Sequence, residues 1–229
     1  MDLLENELSD PINHWYYRYK FTVIKKFMDS NPQIRSVADI GAGSALFTKE
    51  LLRKDMSLRV VAIDTGYEIE GTDLNFPNLE YRRSVKSLNV DLYIFTDVIE
   101  HVENDLKFIK SYSDLSKSGT FFVFTAPCFM SLWSGHDIFL KHYRRYTLYE
   151  MRSVIEKSGL KIIESKYLFS TIFPIVWILR KFSRNQQVKS QMRETNFLTN
   201  YLLNNIMKID YLIASKAKFG ISGIVIAYK

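Results

Sequence analysis

Arg35-Ser36-Val37-Ala38-Asp39-Ile40-Gly41-Ala42-Gly43-Ser44-Ala45-Leu46-Phe47-Thr48-Lys49-Glu50-Leu51-Leu52 is followed, after a short polar break, by Leu58-Arg59-Val60-Val61-Ala62-Ile63-Asp64. The first apolar run stops at Gly41-Ala42-Gly43. Leu46, Phe47 and Leu51 then recur at helical spacing, and the second apolar run ends in a carboxylate. This pattern predicts a strand, a tight turn, a helix and a second strand. Gly41 and Gly43 admit backbone angles that a Cβ forbids, so the chain can turn sharply and lie close against a ligand. Asp64 falls at a strand tip, where open parallel sheets place an acid that accepts hydrogen bonds from ribose hydroxyls. A glycine turn alone is a weak signal; the turn and the strand-end acid, one helix apart, are a stronger one.

The spacing of the glycines selects among nucleotides. A dinucleotide site wants Gly-x-Gly-x-x-Gly, and here the sixth position is Leu46. Asp39, just ahead of the first glycine, puts a carboxylate inside the turn, which suits a cationic group and repels a pyrophosphate. Asp39-x-Gly41-x-Gly43 with Asp64 resembles the class I S-adenosylmethionine-dependent methyltransferases, with Ala45 where that family usually has a further glycine. The resemblance implies an α/β fold: a doubly wound, seven-stranded, mostly parallel sheet with its last strand antiparallel. It also implies S-adenosylmethionine as cofactor and S-adenosylhomocysteine as product, with Asp39, Gly41 and Gly43 at the methionine portion and Asp64 at the ribose.

At 229 residues and 47% hydrophobic, the chain suits one domain over 1–229. One cysteine, Cys128, precludes an internal disulfide, and the acidic start Met1-Asp2-Leu3-Leu4-Glu5 lacks the regions of a signal peptide, so a cytoplasmic setting is expected. The net charge of +6 suits an anionic substrate, a membrane surface or RNA without choosing among them. An uncharged run, Tyr167 to Leu179, is too short to span a bilayer and contains Pro174. It is expected to be buried, with peripheral membrane contact as the alternative.

Residues 1 to about 33 are expected to form a helical lid carrying His14-Trp15-Tyr16-Tyr17-Arg18-Tyr19-Lys20, with Tyr17 or Arg18 reaching toward the substrate while Trp15 and Tyr19 pack on the sheet. Leu79-Glu80-Tyr81-Arg82-Arg83 reads as a third strand. After it stands Ser84-Val85-Lys86-Ser87, without the acid that many methyltransferases turn to adenine, so Ser84 and backbone groups are expected to take that part. Asp91 to Thr96 reads as a central strand. Val98, Val102, Leu106 and Ile109 then recur at helical spacing, leaving Asp97 and His101 on the ligand side. His101 suits a general base, because imidazole titrates near working pH. Asp97, Glu100, His101 and His142 are alternatively a divalent-cation set. Acid-x-x-Glu-His with a distant His resembles the metal-binding residues of ubiquinone-pathway O-methyltransferases and small-RNA 2′-O-methyltransferases.

Thr120 to Thr125 reads as a fifth strand. Residues 127–147 form a connection without clear period, of the length that is usually functional. Its Trp133-Ser134-Gly135-His136-Asp137 and His142-Tyr143-Arg144-Arg145-Tyr146-Thr147 resemble a methyltransferase subgroup related to the ubiquinone-pathway enzymes and to glycan-cluster methyltransferases. His142 is the second candidate base. Of Arg144 and Arg145, one is expected to bind an anionic substrate group or an acid of this protein and the other to face water. Thr147 and Glu150 form a capping box for the helix that follows. Residues 169–218 are expected to be mostly a helical cap, which the resemblance implies shapes the acceptor pocket. The resemblance implies methyl transfer to an oxygen of a small-molecule, glycan or lipid-linked acceptor, and no nucleic acid is expected to take part. The rivals are a nucleotide-dependent oxidoreductase and an inactive binding scaffold.

Overall fold

A computed structural model of the chain describes residues 11–85, 88–182, 188 and 195–229. The strands are β1 (Ser36–Ile40), β2 (Arg59–Ile63), β3 (Gly71–Thr72), β4 (Leu79–Arg82), β5 (Leu92–Thr96), β6 (Phe121–Pro127), β7 (Lys161–Leu168) and β8 (Ser222–Tyr228). The helices are α1 (Trp15–Asp29), α2 (Leu46–Lys54), α3 (Asp105–Leu115), α4 (Gly135–Phe139), α5 (Leu148–Lys157), α6 (Phe173–Phe182) and α7 (Phe197–Ile213). One sheet runs β3-β4-β2-β1-β5-β6-β8-β7. From β4 to β6 it is parallel, and β8 is antiparallel to both β6 and β7. The eighth strand beyond the seven expected is β3, a two-residue antiparallel addition to the β4 edge.

β1 and its neighbours carry apolar residues on both faces because helices cover both sides. Val37, Val60, Leu92 and Ile94 face α1, α2 and α7, with Ile24, Leu51 and Met207 among them. Ala38, Tyr93, Phe95, Phe122 and Phe124 face α3 and α5, where Met151 and Ile155 close the layer. On that second face Phe95 and Phe124 stack with centroids 4.7 Å apart. Each such fully buried side chain contributes about 1.5–3 kcal/mol.

Two expectations are corrected. The helical spacing from Val98 does not begin a helix: Ile99–His101 is a single 3-10 turn and α3 starts at Asp105. The Asn104 side chain accepts from the Lys107 amide at 3.0 Å, and Asp97 takes a left-handed φ of 54°, so the chain leaves β5 in a turn and enters the helix only past Asn104. The run Tyr167 to Leu179 divides. Tyr167, Leu168 and Phe169 are buried, whereas α6 buries none of its residues. The capping box at Thr147 and Glu150 is present, with Thr147 N to Glu150 Oε2 at 2.7 Å. The helix expected over residues 1 to about 33 begins at Trp15 after a 3-10 turn, Pro11–Asn13; residues 1–10 of that expectation, and 183–187 and 189–194 of the expected 169–218 cap, lie outside the described residues.

Candidate active site

The chain leaves β1 toward β2 on one side and returns to β5 on the other, which opens a crevice at the carboxyl ends of these strands. A cavity of about 730 Å³ lies there, a volume in the range of small-molecule sites. Gly41 N and Ala42 N both donate to the Ile63 carbonyl, at 2.8 and 3.1 Å, so the turn is tied to the end of β2. Gly41 has φ 66°, and a Cβ there would stand 2.7 Å from Val98 Cγ2; glycine is required by both backbone and space. Gly43 also has positive φ, and its amide donates to Asp64 Oδ2 at 2.9 Å. Ala45, where the family resemblance expects glycine, is left-handed at φ 55° and wholly buried. That conformation costs a non-glycine residue about 1–2 kcal/mol.

Asp39 sits among the parallel strands and on the cavity wall. Burial pushes its carboxyl up to about 6, against the Thr48 hydroxyl that donates to it at 2.6 Å. A carboxyl placed this way gains its charge most readily when a cation sits beside it.

At the end of β5 the arrangement differs from the one expected. Asp97 lines the cavity, but its carboxylate pairs with Lys20 of α1, a lysine with no exposed side-chain surface. Burial works against the ionised form of Asp97, and the Lys20 charge and hydrogen bonds from Lys20 and Thr125 outweigh it, holding the carboxyl below its ordinary value. Lys20 Nζ also donates to the Tyr16 hydroxyl at 2.7 Å. Glu100 is fully buried, and neither carboxylate oxygen has a hydrogen-bond partner on another of the described residues. Burial first, and then the negative charge of Asp97, raise its carboxyl well above the usual range. Ligand atoms of Glu100, His101 and His142 all lie within 4.8 Å of one another, and the two imidazoles meet edge to face at 4.5 Å. Asp97, included in the expected cation set, is not in this cluster; its carboxylate pairs with Lys20.

The 127–147 connection is more ordered than its sequence suggests, with a 3-10 turn Met130–Leu132 and the short α4. Asp137, wholly buried, organises it. Its carboxylate accepts from Ser134 N at 2.8 Å, His142 Nδ1 at 2.9 Å, and Arg145 Nε and Nη2 at 2.7 and 3.1 Å. Burial opposes the charge of Asp137, but the His142 hydrogen bond and the Arg145 guanidinium outweigh it and keep the carboxyl far below its ordinary value. With Nδ1 directed at Asp137, Nε2 is the His142 nitrogen left for the cavity. His136 lines the same wall, and burial lowers its imidazole to about 4, so it is neutral at working pH.

The cavity therefore collects Tyr17, Asp39, Gly41, Gly43, Asp64, Asp97, Glu100, His101, His142 and Arg145 from the residues expected at the site. Three others are placed elsewhere. Arg18 is exposed on the far side of α1, because the helical period turns Tyr17 and Lys20 inward instead. Arg144 reaches Asp105 at 2.8 Å, where the Tyr146 hydroxyl also donates, and so pins the connection to α3. Ser84 is exposed and does not line the cavity. Lys20 and Asp137 were not singled out from sequence as site residues. The signal for Lys20 was its position on the apolar stripe with Tyr17, Ile24 and Met28; for Asp137, an acid inside a motif of aromatics and histidines gave no such signal.

A family model described as a methyltransferase domain matches residues 12–165. No curated protein matches the chain. Among solved structures, the chain is similar to an S-adenosylmethionine-dependent methyltransferase from Archaeoglobus fulgidus, at 12% identity and a TM-score of 0.54 over 93% of this chain and 94% of that one. It is similar to a protein from Galdieria sulphuraria described as a putative sarcosine dimethylglycine methyltransferase, at 14% identity and a TM-score of 0.55 over 93% and 85%. A third is an O-methyltransferase family 2 protein from Planctomyces limnophilus, solved with apigenin, at 13% identity and a TM-score of 0.52 over 85% and 51%. The chain belongs to the methyltransferase-domain family and is a transferase of methyl groups, built on the fold of the S-adenosylmethionine-dependent enzymes.

Proposed function

We propose that the cavity binds S-adenosylmethionine against Asp39, the Gly41–Gly43 turn and Asp64, and that methyl transfer goes to an oxygen of a small-molecule, glycan or lipid-linked acceptor. The observation that carries this reading is Asp39: a buried carboxyl on the cavity wall, beside Gly41, where a Cβ would meet Val98, and hydrogen-bonded at 2.6 Å by the neutral Thr48 hydroxyl. An ammonium tail fits it, and a pyrophosphate would be repelled. When bound, the donor supplies an electrophilic methyl group, which passes to the acceptor oxygen as the carbon–sulfur bond breaks. The chain's part is alignment and proton removal. Asp64 holds the ribose hydroxyls and, through Gly43 N, the turn. His142, fixed by Asp137, receives the acceptor proton at Nε2. His101 stands against His142 and closes that side. Trp15, Tyr16, Val176 and Leu179 supply an apolar acceptor wall, with Arg145 at its base. In this reading α1, the 127–147 connection and the 169–218 cap are walls of one methyl-transfer unit. An oxygen acceptor accords with the resemblance of His142-Tyr-Arg-Arg-Tyr-Thr to ubiquinone-pathway and glycan-cluster methyltransferases.

A second reading of the same corner rests on Glu100. Its buried carboxylate, without a hydrogen-bond partner among the described residues, makes with His101 and His142 a donor set that suits a divalent cation. Such a cation would lower the proton affinity of the acceptor hydroxyl, and these residues would hold it.

Titration calorimetry with S-adenosylhomocysteine tests the cofactor half. Asp64→Ala is expected to weaken binding about 10- to 100-fold, the loss of a charge-assisted hydrogen bond of about 1.5–3 kcal/mol. Unchanged affinity would remove Asp64 from the site. The pH dependence tests Asp39. The free protein holds this carboxyl up at about 6 and a cationic tail favours the ionised form, so affinity is constant well above pH 6 and falls as pH drops below it. The fall should approach about tenfold per pH unit and vanish in Asp39→Asn. A flat profile from pH 5 to 7.5 would contradict the assignment.

A further inference from the structure

α6 is apolar yet stands outside the core. Ile175, Ile178, Leu179 and Phe182 follow at i, i+3, i+4 and i+7, which places them on one stripe, and Ile175 and Phe182 are 61% and 76% exposed. α7 repeats the situation. Its inner side, Ile206, Met207 and the buried Asp210, packs on the body, while Leu198, Leu202, Ile209 and Leu212 point outward, with Leu212 at 76%. A helix apolar all round is ordinarily buried on all sides, so these faces lack a covering partner among the described residues.

Charge selects the partner. Within residues 173–182 and 196–219, Lys181, Lys208, Lys216 and Lys218 are exposed, and the one acid, Asp210, is buried, accepting from the Tyr19 hydroxyl at 2.8 Å and from Phe169 N at 2.9 Å. Apolar stripes edged by lysines without an exposed acid match an anionic lipid surface, in which the helices lie in plane at the headgroup boundary. Two copies of this chain joined through the same faces would set lysine against lysine. No helix among the described residues is long and apolar enough to cross a membrane, so lying on the surface is the mode available to α6 and α7. α6 also borders the site: Val176 and Leu179 line the cavity, and Leu179 is at the same time 64% exposed on the outer stripe.

We propose that the α6 and α7 faces dock this protein on an anionic bilayer, with the cavity mouth toward the lipid. The docking stands on its own geometry. What it adds to the methyl-transfer reading, and what rests on that reading, is the acceptor class: an amphipathic molecule taken from the membrane, passing along Leu179 into the cavity.

Vesicle co-sedimentation tests the docking, with phosphatidylcholine alone and with about one third phosphatidylglycerol. The protein should pellet with the anionic vesicles, much less with the neutral ones, and be released as salt is raised to about 0.5 M. Ile178→Glu with Phe182→Glu, and Leu202→Glu with Leu212→Glu, should each lower the partition coefficient at least roughly tenfold. Lys181→Gln with Lys208→Gln, a change that leaves the apolar faces intact, should lower it about fivefold per lysine. Thermal melts of all variants should match the parent. A protein that stays in the supernatant with anionic vesicles at low salt overturns the proposal. So does a concentration-dependent dimer in light scattering that the glutamate variants dissolve. Vesicle binding without any response to S-adenosylhomocysteine would leave the docking standing and sink the cofactor assignment instead.

Discussion

Asp137→Ala is expected to be the most damaging single substitution for stability, at about 3–5 kcal/mol. The carboxylate is wholly buried and receives both nitrogens of the Arg145 fork, while Arg145 itself has only 5% of its side chain exposed. Removing the acid strands a buried guanidinium, and the Ser134 amide and His142 Nδ1 lose their acceptor as well. For a chain of this size each kcal/mol moves Tm by about 2–4 °C, so the melt should fall by about 6–20 °C. Asp137→Asn keeps the shape and part of the hydrogen bonding and should fall less. The pH dependence has a definite sign. The folded carboxyl lies far below its unfolded value of about 3.9, so its contribution is fully present above that pH and is lost as pH falls beneath it. The variant should lack that part of the acid-unfolding slope. A melt within about 2 °C of the parent would show that Arg145 finds another partner.

His142→Ala carries the largest expected effect on rate, a loss of about 10²–10⁴ in turnover. The assay is transfer of a labelled methyl group from S-adenosylmethionine into a cell extract, with S-adenosylhomocysteine affinity measured in parallel. Binding should change little, because the Asp39, Gly43 and Asp64 side of the cavity does not depend on His142. Chelation separates the two readings of this corner. A base held by Asp137 works in excess chelator, whereas a cation held by Glu100, His101 and His142 does not. In the cation case Glu100→Gln should cost as much as His142→Ala, since it removes the charged member of the set. Turnover within threefold of the parent in His142→Ala would exclude both roles for this residue.

Much of the fold was legible along the chain because it is written in local period. The run ending at Ile40, the turn at Gly41 and Gly43 and the acid at Asp64 gave β1, α2 and β2 in order, and Thr147 with Glu150 gave the start of α5. The errors came where local signals compete. Val98 to Ile109 has a helical period, yet Asn104 offers its side chain to the Lys107 amide and starts the helix later. Tyr167 to Leu179 is uniformly apolar, and nothing within it separates the strand end that enters the core from the helix that stays outside.

By itself the sequence determined the alternation of strands and helices, the glycine turn and the acids at the strand ends, since each depends on neighbours a few residues apart. Only the tertiary structure decided which charges meet. Lys20 finds Asp97 across 77 residues of chain, Asp137 closes on both Arg145 and His142, and Arg144 beside it turns to Asp105 instead. The order of strands in the sheet brings Lys20, Asp97, His142 and Arg145 to one crevice, and loss of water there makes each buried charge depend on the partner it meets.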